Sequence, residues 1–351
     1  MASTTQLEIG RVVSLWRYPV KSMMGEELNA TEVTERGLLG DRAYALVDGF
    51  DGKVASAKNP RKWPTLFDYR ATFIEPPRIS ANVPPVRIAL PDGTMATSQQ
   101  SDLNQILSKA LNRKVTFDAT ERGHVGPANA EEYWPDMEGL DYRDTVTDFA
   151  LPEGTFFDCA TVHLLTTATL DQLRELYPKG RFEVRRFRPN IVVEPASGEK
   201  GFVENAWVGH ALCIGGEVRL NIAGPCPRCV MTTLPQGDLP KDPGILRTAA
   251  QHNRVNVGIY ANVVRGADPG REVRLGGAPA GHGDPGLALR GDPEAPPPPD
   301  GRLRRLVCHA SSALRARAQT RSGRPPLSGR RRLGTVSTAA CDAEVAGISE
   351  A

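Results

Sequence analysis

The sequence predicts a mostly β protein of the α+β class. It reads as an N-terminal β-barrel domain, a second β-barrel domain with a few short helices, and a disordered C-terminal tail. Three observations lead there. Short runs of β-branched and large apolar residues recur, divided by Gly and Pro turns. Only three stretches show helical spacing, too few for a doubly wound sheet with a helix after every strand. After Tyr260 there is no further aromatic residue and no lysine, and Arg, Gly, Ala and Pro dominate. Such a composition cannot repay the entropy of ordering.

The elements follow in order. Residues 7–18 are rich in β-branched and large apolar residues and read as a strand that stops at Pro19. Gly37 and Gly40 mark a turn, and residues 42–47 resume strand character. Residues 71–75 and 86–90 are further strands. Leu103, Ile106, Leu107, Ala110 and Leu111 fall at helical spacing, after candidate caps Ser101 and Asp102. Residues 115–117 close a first unit, 7–120. Residues 121–154 are polar without a clear period and read as a connection. A second unit, 155–275, contains predicted strands at 161–165, 190–193, 218–223, 229–233 and 255–264. Its predicted helices are 170–176 and 245–251, and a last strand is expected at 272–275. Residues 276–351 are the tail, and a chain ending near Leu275 is expected to keep its stability.

At 351 residues, with 43 Lys and Arg against 41 Asp and Glu, the chain can bury full cores and carries little net charge. This balance gives no case for a nucleic-acid partner. No apolar run reaches transmembrane length, and the first ten residues lack a signal-peptide pattern. Six scattered cysteines do not suggest a disulfide scaffold, so a cytoplasmic protein with reduced thiols is expected.

The densest chemical signal is Gly224-Pro225-Cys226-Pro227-Arg228-Cys229-Val230-Met231-Thr232-Thr233. Two thiols stand at C-x-x-C spacing in a stiff, proline-bound segment. A guanidinium beside the second favours its thiolate. A thiolate serves as a soft metal ligand, a nucleophile or a sulfur carrier, and two buried thiols also serve as small hydrophobes. Zinc needs two more ligands at short spacing, and His124, His163, His210 and His252 form no such pair.

Cations recur at turns. Tyr18-Pro19-Val20-Lys21-Ser22 places an ammonium and a hydroxyl after the first strand. Gly40-Asp41-Arg42 and Arg188-Pro189-Asn190 each place a guanidinium at a strand edge. Such groups suit an anionic ligand, while ordinary ion pairing is the plainer use of each. Asp238 and Asp242, after the cysteines, are candidate proton donors or solvated loop carboxylates.

Together these motifs resemble a family. Tyr18 to Ser22 with Arg36-Gly37-Leu38-Leu39-Gly40-Asp41-Arg42 is similar to the N-terminal β-barrel domain of MOSC proteins. Phe187-Arg188-Pro189-Asn190-Ile191 and the cysteine segment are similar to the MOSC domain itself, in the group of the mitochondrial amidoxime-reducing component and its bacterial counterparts. The resemblance implies binding of molybdenum cofactor, Mo-molybdopterin, between the two units. It makes Cys229 the catalytic thiolate ligand of molybdenum and Cys226 an accessory thiol. It places Lys21, Ser22, Arg42, Arg188, Asn190 and Arg228 around the pterin and phosphate, with Thr166 and Thr167 as a looser match. It implies two-electron reduction of N-hydroxylated compounds: amidoximes, hydroxamic acids and hydroxylamines. Electrons would come from separate proteins, a flavin or iron–sulfur reductase and a cytochrome b5-like or ferredoxin-like carrier. Pyridoxal phosphate binding is a further family-level implication. A different reading of the same residues is a sulfur carrier with a persulfide on Cys229 and no bound molybdenum.

Overall fold

The computed structural model describes residues 8–79, 82–120, 128–137, 143–196, 198–215, 218–265 and 288–292. The chain opens with β1 (Glu8–Arg17), followed by the short β2 (Glu26–Leu28), β3 (Val33–Thr34) and β4 (Gly37–Leu38). The next strand, β5 (Tyr44–Asp48), pairs antiparallel with β9 (Val115–Ala119). Between them, β6 (Arg70–Phe73), β7 (Val86–Ala89) and β8 (Met95–Thr97) form an antiparallel meander. The amphipathic α1 (Leu103–Ala110) buries Leu103 and Leu107. These two residues join Val20, Met23, Leu46, Trp63, Tyr69 and Ile88 in one apolar core.

The expected connection holds a hairpin, β10 (Asn129–Trp134) with β11 (Thr145–Ala150). Its period is hidden because the inward position on β10 is a charged residue. Ala130, Glu132 and Trp134 are buried and alternate with more exposed neighbours.

The second half contains β12 (Val162–Thr166), α2 (Thr167–Leu176), α3 (Val184–Phe187) and β13 (Ile191–Pro195). It continues with β14 (Ala211–Ile214), β15 (Val218–Pro227), α4 (Pro243–Asn253) and β16 (Asn256–Arg265). The last strand described is β17 (Ala288–Asp292). One sheet runs β13-β12-β16-β15-β14-β17-β1-β2, and β1 also pairs with β13, so seven strands close a ring. The parallel pair β12 and β13 is joined through α2, as a parallel neighbour requires a crossover. Inward side chains alternate along the strands: Val218, Leu220 and Ile222 point into a core with Val12, Leu164, Val193, Leu212 and Ile259. The helices α2 and α4 cover one outer face through Leu170, Leu173, Ile245 and Ala249.

Three expectations are corrected here. Residues 229–233 do not form a strand. The strand β15 ends at Pro227, and Val230–Thr233 is a 3-10 turn. The threonine hydroxyls divert the backbone: Thr232 Oγ1 donates to the Cys229 carbonyl at 3.1 Å and Thr233 Oγ1 to the Val230 carbonyl at 2.7 Å. The tail is not wholly without structure. Residues 288–292 pair with β1 on one side and β14 on the other, because without them those two strands would carry open hydrogen-bonding edges. The strand expected at 272–275 lies outside the described residues. The first strand, read as part of the N-terminal unit, lies in the larger ring.

Candidate functional site

A cleft of about 380 Å³ lies where the meander core, the hairpin and the ring meet. It collects Arg42, Arg188, Asn190, Arg228 and Cys229 from segments far apart in sequence, with Lys58, Glu132, Asp158 and His163 beside them.

Two turns aim the first pair of arginines. Arg42 and Arg188 both have left-handed backbone, at φ 48° and 53°. This conformation is uncommon outside glycine and marks imposed geometry. The Arg188 guanidinium lies 4.1 Å from the Tyr18 ring centroid and that of Arg42 4.8 Å from it. Two cations thus share one aromatic ring. Arg188 also donates from Nη1 to the Met23 carbonyl at 2.7 Å. Burial lowers its pKa to about 10, which leaves it charged at neutral pH. Burial also pushes the Tyr18 phenol up, so the ring between the cations is neutral.

Asp41 ties these parts together. Its Oδ1 accepts from the Tyr18 amide at 2.8 Å and its Oδ2 from Asn190 Nδ2 at 2.9 Å, and it ion-pairs with Arg42. Asn190 in turn accepts the His163 amide at 3.1 Å on Oδ1. Asn190 therefore latches the first turn to β12 and also lines the cleft.

The cysteine segment is gripped from behind. Arg186 is fully buried and donates to the carbonyls of Arg181 at 2.8 Å, Thr232 at 3.2 Å, Leu234 at 3.2 Å and Pro240 at 2.8 Å. These bonds fix the turn after Cys229. Val230 and Leu234 from that turn pack into the N-terminal core. Arg228 donates from Nη1 to Cys226 Sγ at 2.7 Å and from Nη2 to the Phe187 carbonyl at 2.8 Å. The arginine therefore serves the buried Cys226 rather than Cys229. Burial pushes the Cys229 thiol up to about 12, and Glu132 adds to the shift. The Arg228 charge acts the other way and favours the Cys229 thiolate, but burial outweighs it.

His163 occupies the floor of the cleft. Its Nε2 lies 3.1 Å from the Val257 carbonyl oxygen, which can only accept, so Nε2 carries the hydrogen. Gly258 makes room for the ring: a Cβ there would collide with His163 Nε2, and φ is +82°. Burial, then the positive charge of Arg228, lowers the imidazole pKa from 6.5 to about 3. The unfolded chain takes up a proton near pH 6.5 and the folded one does not until about 3. Stability from this group is complete above 6.5 and is lost as pH falls toward 3. Imidazole NMR shifts of His163 are expected to stay constant from pH 8 to 5; a midpoint near 6.5 would contradict this environment.

Other expected site residues lie elsewhere. Lys21 is buried one layer behind the cleft, donating to the Phe156 carbonyl at 2.7 Å and pairing with Asp158. Ser22 has φ 63°, and its Oγ accepts the Ala57 amide at 3.0 Å, which makes it a turn residue. Thr166 caps α2 by accepting the Thr169 amide at 3.1 Å and donates to Glu204 at 2.6 Å. Thr167 lines a separate groove with Asp171 and Glu175. Asp238 pairs with Arg181 and Arg185, and Asp242 caps α4. None of these six residues lines the cleft. The sequence reading missed Lys58, Glu132 and the aromatic wall of Phe149 and Phe157.

The residues present suit an anionic, metal-bearing ligand. Arg42, Lys58, Arg188 and Arg228 line the cleft with two acidic residues, Glu132 and Asp158, and the buried Nε of Arg228 has no hydrogen-bond partner. Two cysteines, Cys159 and Cys229, line the cleft with these cations. That donor set fits a metal that arrives with its own further ligands and a phosphate.

Fold and cleft define a two-barrel β protein with one cysteine-bearing site between its halves. Residues 9–123 match the MOSC N-terminal beta barrel domain and residues 152–278 the MOSC domain, so the chain belongs to the MOSC proteins that carry both. It is similar to Mitochondrial amidoxime reducing component 2 of Rattus norvegicus, 24% identical over 241 residues, and of Bos taurus, 26% over 251 residues. It is also similar to Mitochondrial amidoxime-reducing component 1 of Homo sapiens, 26% identical over 255 residues. Each match covers 65% of this chain and 67% of the relative. The YUAD protein from Bacillus subtilis, a solved structure, aligns over 82% of this chain and 100% of its own at 10% identity, with a TM-score of 0.37. Among the described residues no helix is long and apolar enough to cross a membrane.

Proposed function

We propose that this protein is a molybdenum-cofactor-binding oxidoreductase that reduces N-hydroxylated compounds. The observation that carries the reading is the convergence of Cys229 with Arg42, Arg188 and Arg228 on one cleft. The similarity to amidoxime-reducing components supports it. The two barrels are assigned to residues 7–120 and 155–275, except that β1 and the strand at 288–292 join the ring of the second.

Bound molybdenum cofactor would supply two-electron chemistry at the metal. The chain's own residues hold it. Cys229 offers the sulfur, on a turn fixed by Arg186. Arg42, Arg188 and Arg228 offer charge to a phosphate, and Asn190 keeps the first turn against β12. Phe149, Leu151, Pro152 and Phe157 give an apolar wall for the body of a small substrate. Reduction of an amidoxime to an amidine consumes two electrons and two protons and releases water. The electrons come from separate donor proteins, a flavin or iron–sulfur reductase with a cytochrome b5-like or ferredoxin-like carrier.

The test is metal analysis of the purified protein with turnover of benzamidoxime, using a reduced viologen dye as donor. About one molybdenum per chain with benzamidine formed is expected. Labile sulfur on Cys229 with neither molybdenum nor turnover would instead establish the sulfur-carrier reading. Arg42→Gln is expected to lower cofactor occupancy before it lowers the melting temperature, through loss of a charge-assisted contact of roughly 1.5–3 kcal/mol. Metal content and melting curves of the same preparation check the order.

A further inference from the structure

The hairpin brings one group to the cleft that the proposed cofactor contacts do not use. Glu132 is 5% exposed, and its Oε1 is buried without a hydrogen-bond partner. Its Oε2 lies 3.6 Å from Lys58 Nζ, beyond hydrogen-bond distance. Lys58 is placed by its own backbone, whose carbonyl accepts the Tyr133 amide at 2.8 Å, and it lies 3.6 Å from Asp158 on its other side. A desolvated carboxylate with unfilled acceptor capacity is costly unless a donor completes it.

The neighbours indicate what kind of donor. Glu132 stands opposite Thr147 in the β10–β11 register, and Phe149 follows two residues along the same face. Thr147, Phe149 and Glu132 all line the cleft, and Cys229 is close enough for the Glu132 charge to raise its pKa. The hairpin thus presents an aromatic surface and a carboxylate side by side, facing the thiol.

We propose that Glu132 is a specificity-determining residue that accepts a hydrogen bond from the substrate's amino group. This rests on the reductase reading for the type of substrate. An amidoxime carries an N–H₂ donor on the carbon that bears the N–OH, and a hydroxamic acid carries a carbonyl acceptor there. A carboxylate accepts from the first and repels the second. The site therefore selects amidoximes with an aryl or apolar body over hydroxamic acids of the same shape.

The experiment begins with the wild-type protein as purified. Calorimetric titration compares benzamidine, whose cation presents two NH₂ groups, with its neutral isostere benzamide, which presents one NH₂ and a carbonyl. Benzamidine is expected to bind at least about tenfold tighter. Equal affinities would overturn the proposal whether or not the protein holds molybdenum or turns over. The second arm compares kcat/KM for benzamidoxime and benzhydroxamic acid in wild type and in Glu132→Gln. A preference of about tenfold or more for the amidoxime should fall to near unity in the variant. An unchanged ratio would overturn the proposal. Failure of the reductase reading is separately visible as absent metal and no turnover of either substrate, and the calorimetric comparison then still decides. Should Glu132→Gln fail to fold, the wild-type titration and the wild-type kcat/KM ratio decide without it.

Discussion

Replacing Cys229 with serine is expected to reduce benzamidoxime turnover to background and to empty the protein of molybdenum, while Cys226→Ser keeps activity within about tenfold of wild type. The asymmetry follows from where the two thiols sit. Cys229 lines the cleft, whereas Cys226 is fully buried and receives the Arg228 guanidinium at 2.7 Å. A serine hydroxyl at 226 can accept the same donor, so the arginine stays in place. A serine at 229 offers the metal a hard oxygen in place of a soft sulfur. Metal content, turnover and melting temperature of the two variants check the prediction together. Equal and complete loss of activity from both changes, with both folded, would favour a redox or persulfide pair over a single metal ligand.

Removing β17 is expected to have the second large effect. A chain ending at residue 287 should lose roughly 3–5 kcal/mol of stability against one ending at residue 297. The shorter chain leaves one edge of β1 open along Glu8, Gly10 and Arg11, and one edge of β14 open from Ala211 to Ile214. It also opens the ring beside Leu212 and Ile214, both almost fully buried. Thermal melting of the two chains decides the matter, and coincident curves would show that β17 does not close the ring.

The parts of the site legible in the sequence are those fixed by local turn chemistry. Gly40 and Pro189 mark the two turns in the sequence, although the left-handed backbone of Arg188 is not the extended one that a following proline favours. Cys229 was legible from its motif. Its environment was not. In extended backbone, alternate residues share a side, so Arg228 faces Cys226 two positions back rather than its neighbour Cys229. Glu132 was hidden because a carboxylate occupies an inward position, where a strand reading expects an apolar residue. Lys58 lies in a loop that is meaningful only once the hairpin packs against it. Thr166 shows the converse failure. A threonine at the end of a strand reads as a ligand contact, yet its hydroxyl is consumed by capping its own helix.

The strand at the beginning of the chain lies between two that are made much later. Gly10 pairs with Pro195 on one side and Leu289 on the other. Contacts of such sequence separation form slowly, because most of the chain must be ordered before they can close. During synthesis β1 therefore precedes both partners, and the edge that takes β17 stays uncovered until residues 288–292 are made. A ribosome that stalls before residue 288 leaves a nascent chain with two exposed strand edges. That is the geometry in which pairing with a second chain competes with folding.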